Sequence, residues 1–254
     1  MKNKGEKVSM ENELNLKIRE IYSNFIKELE VKAPQLLGEE YSNIFCTGIL
    51  DDWEQARNKV MIIGEEAAWG RRTKYDDEIK SCQEWILNFL NDQVKETKFG
   101  FDKNNYPFWK RFRLIVEQLP KNSAFCYANI DCINNPNTNN GALTSKERAA
   151  LHSTDIKILQ EVVNLIKPTI VIFFGWHNKS LKHEFNSLYN KVYPEKEGNT
   201  SHFIKNGVLG CYQESNRIYI LSYHPSYPIA RTKQYKNNNE YDNAIVELIK
   251  KYIS

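Results

Sequence analysis

The amino-acid sequence predicts an α/β fold, a single domain with a central, mainly parallel four-stranded sheet flanked by helices. Three observations predict it. The chain has 254 residues, a length that suits one large α/β domain. Four short, continuous apolar runs have the character of strands buried on both faces. Helical patterns lie between the runs, and this alternation implies a parallel sheet with helices on both faces.

The elements follow in chain order. Leu14, Ile18, Ile21, Tyr22, Phe25, Ile26 and Leu29 recur at helical spacing, so an amphipathic helix spans about Met10 to Val31. It belongs to an N-terminal helical extension of about residues 1–50, whose role is packing. Val60-Met61-Ile62-Ile63 is the first strand, and Ala124–Ala128, Thr169–Phe174 and Ile218–Leu221 are the next three. Helical patterns occupy about Glu78–Val94, Phe108–Leu119, Ser153–Ile166, Lys179–Tyr189 and Tyr241–Ile253. There is no internal repeat. Asn134–Asn140 and Lys233–Glu240 read as exposed loops too short to link domains, so residues 1–254 form one domain.

Composition narrows the function classes. With 41% hydrophobic and 26% charged residues, the chain is neither disordered nor fibrous. A net charge of +3 is too mild to identify a polyanion partner, since binding depends on where the charge clusters. No apolar run approaches the ~20 residues that span a bilayer, and no apolar segment follows the N-terminal Met1-Lys2-Asn3-Lys4-Gly5. The expectation is a cytoplasmic monomer without membrane contact. Five widely spaced cysteines, Cys46, Cys82, Cys126, Cys132 and Cys211, include no Cys-x-x-Cys pair. They read as reduced thiols in or near a core, which predicts no metal site and no iron-sulfur cluster.

In open parallel sheets the ligand site lies outside the carboxyl ends of the strands. Here those ends are polar. The first strand runs into Gly64-Glu65-Glu66-Ala67-Ala68-Trp69-Gly70, the second into Asn129-Ile130-Asp131, the third into Gly175-Trp176-His177-Asn178, and the fourth into Ser222-Tyr223-His224-Pro225-Ser226. Carboxylates, an amide and two imidazoles are thereby offered around one crevice.

These segments resemble, in order, the motifs of the uracil-DNA glycosylase superfamily. Gly64-Glu65-Glu66-Ala67-Ala68 is similar to the Gly-Gln-Asp-Pro-Tyr type segment that carries the family's water-activating acid. Asn129, closing an apolar strand, looks like the base-reading Asn, and His224-Pro225-Ser226-Tyr227-Pro228 resembles the family's His-Pro-Ser-Pro motif. Lys167-Pro168, the Val171 strand and Gly175 are similar to the strand and glycine before its last helix. The resemblance spans about residues 58–231. Ala67 and Ala68 depart from the usual Pro and Tyr, and Trp69 is similar to a Gly-Gln-Glu-Thr-Asn-Gly-Trp variant of divergent branches.

The resemblance implies a uracil-DNA glycosylase-like fold and hydrolysis of an N-glycosidic bond. That reaction builds positive charge on the sugar and negative charge on the departing base. Glu66 aligns with the acid that orients water and stabilises the sugar cation, with Glu65 as the alternative carboxylate. His224 would donate a hydrogen bond to the base oxyanion, either as neutral imidazole or as imidazolium. Asn129 can offer a donor and an acceptor to a flipped pyrimidine, and Phe108 would stack on it. Trp69 and Ala68 would line the same pocket. Ser226, Tyr227, Ile229, Arg231 and Lys233 form the expected DNA-binding loop, with Tyr227 and Ile229 as wedges and Arg231 and Lys233 at phosphates.

No lysine stands in these motifs as a Schiff-base nucleophile, so the implied enzyme is monofunctional and cofactor-free, acting on single- or double-stranded DNA. The strict uracil enzymes block carbon 5 of the pyrimidine with the Tyr that Ala68 replaces. A chain with Ala there is expected to admit uracil or C5-modified pyrimidines, in repair or in anti-phage defence. Two other functions share these residues: a non-catalytic reader of modified bases in DNA, and an N-glycosidase of free nucleosides. The residues also have structural alternatives. Glu65-Glu66 could be a solvated pair, Asn129 a turn cap, His224 a core histidine, and Arg71-Arg72 and Lys110-Arg111-Arg113 solvated faces.

Overall fold

A computed structural model of the chain describes residues 12–66, 77–92, 107–137, 143–175, 202–204, 209–214 and 216–253. Its sheet contains β1 (Asn58–Glu66), β2 (Ser123–Asp131), β3 (Ile170–Phe174), β4 (His202–Ile204), β5 (Leu209–Glu214) and β6 (Arg217–Ser222). The strand order is β2-β1-β3-β6-β5-β4. The four expected strands are therefore contiguous, and β2, β1, β3 and β6 pair in parallel.

The expected count of four strands is corrected to six, and the sheet is mixed, because β5 pairs antiparallel with β6 and with β4. Leu209-Gly210-Cys211-Tyr212-Gln213-Glu214 carries a glycine and ends in polar residues, so it lacks the continuous apolar signature of a central strand. Its signal is the turn instead. Glu214 pairs with Arg217, leaving a two-residue connection that contains Asn216, a composition suited to a tight hairpin.

Helices cover both faces. On one side α1 (Glu13–Lys32) packs Ile18, Tyr22, Phe25 and Leu29 with Met61 and Ile63 of β1. The long helix α4 (Ser145–Ile166) adds Leu151, Ile158, Leu159, Val162 and Ile166 to this layer. On the other side α2 (Glu78–Leu90), α3 (Pro107–Gln118) and α5 (Asn238–Lys250) bring Ile86, Phe89, Phe112, Ile115, Tyr241 and Ile245 against Val60 and Ile62. The strict alternation along β1 follows from the two-residue period of a strand, and each such buried side chain contributes about 1.5–3 kcal/mol.

Helix α4 starts at Ser145, ahead of the expected Ser153, because Thr144 and Glu147 form a capping box. The Tyr41 hydroxyl also donates to Glu147, tying the N-terminal segment to this helix start. The expected helix at Lys179–Tyr189 lies outside the described residues.

Beyond α1, a short 3-10 turn at Pro34–Leu37 leads into chain that runs along the outer edge of β2. Ser42 N–H donates to Asn134 O, Phe45 N–H to Cys132 O, and Ile49 bridges antiparallel to Cys126. The Trp53 indole N–H donates to Ile166 O at 2.8 Å. This segment covers backbone groups that an edge strand would otherwise expose. All five cysteines are buried, and burial pushes the Cys46, Cys82 and Cys126 thiols up, so they stay protonated. Among the described residues no helix is long and apolar enough to cross a membrane.

Candidate functional site

The carboxyl ends of β1 and β2 meet at a glycine. Gly64 stands in register with Asn129, and a Cβ at Gly64 would lie 2.5 Å from Asn129 Oδ1, 3.2 Å from Phe108 Cε2 and 3.4 Å from the Tyr127 hydroxyl. Only a residue without a side chain allows this convergence. Tyr127 and Asn129 point to the same face of β2, and the Tyr127 hydroxyl donates to Asn129 Oδ1 at 2.6 Å. Asn129 is 2% exposed, yet its Nδ2 has no hydrogen-bond partner among the described residues. A buried amide donor left unpaired costs about 1–3 kcal/mol, so this position is one that a ligand acceptor would stabilise.

Phe108 forms the wall beside them. Pro107 opens α3, where its fixed φ suits the first turn, and places Phe108 edge-on to Tyr127 and to Phe174, with ring centroids 5.3 Å apart in both pairs. Trp109 closes on Phe108 at 4.8 Å and on Tyr127 at 5.2 Å. Gly175 follows Phe174 with φ 110°, a left-handed conformation that favours glycine, and its N–H donates to Ser222 O.

Just past the end of β6, His224 lies within the field of a buried cation. Arg111 on α3 is 1% exposed. Its Nε donates to Asp242 Oδ1 at 2.6 Å and its Nη1 to Tyr223 O at 2.5 Å. Its guanidinium carbon lies 5.3 Å from the Phe174 ring centre and 5.1 Å from that of Tyr241. Tyr223 N–H donates in turn to the Tyr241 hydroxyl at 2.9 Å. Burial raises the Asp242 carboxyl while Arg111 pulls it back.

The His224 ring answers a question that its sequence context leaves open. Ser226 N–H donates to Nδ1 at 3.3 Å and Ser226 Oγ lies 2.6 Å from the same atom, so Nδ1 is an acceptor and the proton sits on Nε2. Burial, and then the nearby Arg111 charge, lower the imidazole pKa to about 4. At neutral pH His224 is a neutral Nε2–H donor. An NMR titration of its ring protons should show a midpoint at about 4 and not near 6.5. The folded pKa lies below the unfolded one, so the associated stability is complete above pH 6.5 and is lost as pH falls through about 4. A midpoint above 6 would contradict this environment.

The structure thus brings Asn129 and Phe108 together at Gly64, and Arg111, which packs on Phe174 and binds Tyr223 O, acts on His224 through its charge. Glu65 and Glu66 complete β1, with the Glu66 backbone in register with Asp131, and their side chains lie outside what is described. Ala68, Trp69, Trp176 and His177 also lie outside the described residues. Ser226 is exposed but engaged with His224. Tyr227 stacks on Tyr223 at 4.6 Å and 20°, and its N–H donates to His224 O. Arg231 and Lys233 are exposed.

Two expectations need correction. Ile229 is fully buried, and its N–H is held by Asn238 Oδ1, so it packs in the core and does not project as a wedge. Asn238 Nδ2 donates to Pro225 O and Tyr227 O, which pulls the loop inward. Arg111 is no solvated charge. It shares a helical stripe with Phe108, Phe112 and Ile115, and that spacing was the signal for its burial; Arg113 faces out and pairs with Glu117. Tyr127, two residues before Asn129, could have been found from strand periodicity alone.

Gly64→Ala should cost about 1–3 kcal/mol of stability through overpacking and displace the Asn129 amide or Phe108. Urea unfolding together with ligand binding checks this. A variant equal to the parent in both would refute the close convergence at this glycine. Among the described residues no group of three or more His, Cys, Asp or Glu could hold a metal ion. No family model and no curated protein matches the chain.

Proposed function

We propose that this chain is a monofunctional DNA glycosylase of the uracil-DNA glycosylase superfamily, hydrolysing the bond between deoxyribose and uracil or a C5-modified pyrimidine. The observation that carries the reading is the buried, unpaired Asn129 Nδ2 beside the bare Gly64 and the Phe108 ring. A flat, polar-edged ring satisfies that donor and meets an aromatic wall, as a base taken out of the stack requires. Glu66, or Glu65 in its place, orients the attacking water and stabilises the sugar cation. His224 Nε2–H stabilises the oxyanion on the leaving base. Ala68 leaves room at carbon 5, and Arg231 and Lys233 meet phosphates. No cofactor takes part.

The test is a screen of purified protein against oligonucleotides containing uracil, hydroxymethylated or glucosylated pyrimidines, and deaminated purines, followed by alkaline cleavage at abasic sites. Cleavage at a pyrimidine is the expected result. Salt-sensitive DNA binding without cleavage of any base would make the protein a reader of modified DNA, and activity on free nucleosides alone would make it a small-molecule N-glycosidase. Glu66→Gln should abolish most excision while leaving DNA affinity intact or improved, because a negative charge near phosphates is lost and shape is kept. Full activity in that variant would move the acid to Glu65 or end the mechanism.

A further inference from the structure

We propose that the loop after His224 takes DNA as a single strand, with the stacked rings of Tyr227 and Tyr223 as a fixed platform for an unpaired base beside the target. The inference rests on the DNA glycosylase reading above and names the form of DNA on which it acts.

The backbone donors from Pro225 to Ile229 are all committed inward. Ser226 N–H donates to His224 Nδ1 at 3.3 Å, Tyr227 N–H to His224 O at 2.8 Å and Ile229 N–H to Asn238 Oδ1 at 3.1 Å. Pro225 and Pro228 have no N–H to give. Asn238 Nδ2 also holds the carbonyls of Pro225 at 3.1 Å and Tyr227 at 3.2 Å. Of the loop's side chains that could fill a gap in a base stack, Ile229 is buried, and Tyr227 is half-buried with its ring on Tyr223 at 4.6 Å and 20°. Pro228 is exposed, but its closed ring projects little from a backbone pinned by Arg231 N–H at Pro228 O. To act as a wedge, Tyr227 would have to leave Tyr223 and break the hydrogen bonds at its own N–H and C=O.

The same bonds make a platform. Tyr223 is fixed through its own backbone, its N–H donating to the Tyr241 hydroxyl at 2.9 Å and its carbonyl accepting from Arg111 Nη1. With Tyr227 held at both its N–H and its C=O, the ring pair is in place before DNA arrives, and stacking a base on it costs little further ordering. Every base has a π-face, so such a platform tolerates any sequence, but a base inside a duplex already has both faces occupied. Opening a duplex also breaks the target's pair and leaves a gap that this loop does not fill, whereas a single strand pays neither cost. Exposed Arg231 and Lys233, in the turn that follows, supply positive charge for the phosphates of the strand.

A mixed-sequence oligonucleotide, as a single strand and annealed to its complement, tests this in fluorescence-anisotropy titrations of the full chain at one salt concentration. Phosphate attraction alone favours the more densely charged duplex, so a preference for the single strand reports stacking. The parent should bind the single strand about tenfold or more tightly than the duplex. Tyr227→Ala and Tyr227→Leu should each lose about tenfold in single-strand affinity, and Tyr227→Phe, which keeps the ring, should restore it. A wedge would behave otherwise, because Leu would serve it and the loss would fall on the duplex. A parent that binds the duplex as tightly, or a Leu variant with a parent-like urea midpoint that keeps the single-strand affinity, overturns the proposal. Excision of uracil and 5-substituted pyrimidines from both forms separates the two readings. Excision from the duplex at the single-strand rate or faster overturns the proposal and leaves the glycosylase reading standing. No excision from either form, with ring-dependent single-strand binding, overturns the glycosylase reading and supports the platform. A parent that binds neither form overturns both. Should the variants fail to fold, the parent's ratio of affinities decides alone.

Discussion

Arg111→Met should lower the unfolding free energy by about 3–5 kcal/mol, the usual cost of removing one partner from a buried ion pair. Three interactions end together. Asp242 loses the Nε donor at 2.6 Å, Tyr223 O loses the Nη1 donor, and the rings of Phe174 and Tyr241 lose the cation between them. Most of the loss comes from stranding Asp242, which burial already disfavours as an anion. The double variant Arg111→Met/Asp242→Leu should therefore recover much of the stability, because an apolar pair of similar volume carries no desolvation cost. Urea unfolding of the parent, both single variants and the double variant measures this. A single-variant loss below about 1 kcal/mol would show that the pair is solvated. The same substitution should raise the His224 pKa from about 4, since one of its two causes disappears, but burial, the larger cause, keeps it below 6.5.

His224→Ala should slow single-turnover base excision by about 2.7–4 kcal/mol, or roughly 10²–10³-fold, with little change in DNA affinity. In the proposed reaction the donor would act on charge that develops only as the bond to the base breaks, so its loss would fall on the chemical step. With the imidazole neutral above about pH 4, the His224-dependent part of the rate should be flat from pH 5 to 8. A rate that declined through this range in the parent, but not in His224→Ala, would assign the work to an imidazolium. An unchanged single-turnover rate in the variant would return His224 to a structural role. Ser226→Ala should have a smaller effect, because it removes the Oγ contact to Nδ1 but keeps the backbone N–H of residue 226 that donates to the same atom.

Much of the fold was legible in local sequence. Runs such as Val60–Ile63 and Ile170–Phe174 are apolar at every position, so burial on both faces followed from composition alone, and the alternation of strands with helices implied their parallel pairing, whereas the order β2-β1-β3-β6 came only with the fold. The strand ends were legible for the same reason. An apolar run that gives way to Gly64-Glu65-Glu66 or to Asn129 marks the carboxyl end of a strand, the side on which parallel sheets form their ligand sites. The start of α4 was written in the Thr144–Glu147 capping box, and apolar periodicity was the weaker guide to it.

What only the tertiary structure decided depends on partners distant along the chain. Arg111 and Asp242 are 131 residues apart, and although the apolar stripe of α3 marks Arg111 for burial, the acid that pairs with it is decided only when α3 and α5 pack on the same face of the sheet. The His224 tautomer depends on its neighbour Ser226, but its lowered pKa depends on burial by the fold and then on Arg111 from α3. Ile229 looked like a loop-tip wedge until Asn238, from the start of α5, drew its backbone inward. The motif resemblance made Asn129 an expected base reader at a strand end. That its Oδ1 accepts from the Tyr127 hydroxyl beside the bare Cα of Gly64 was set across a register that exists only once β1 and β2 have paired. Periodicity and burial are properties of a segment, whereas the direction of a hydrogen bond and the charge state of a ring are properties of a contact, and contacts are made by folding.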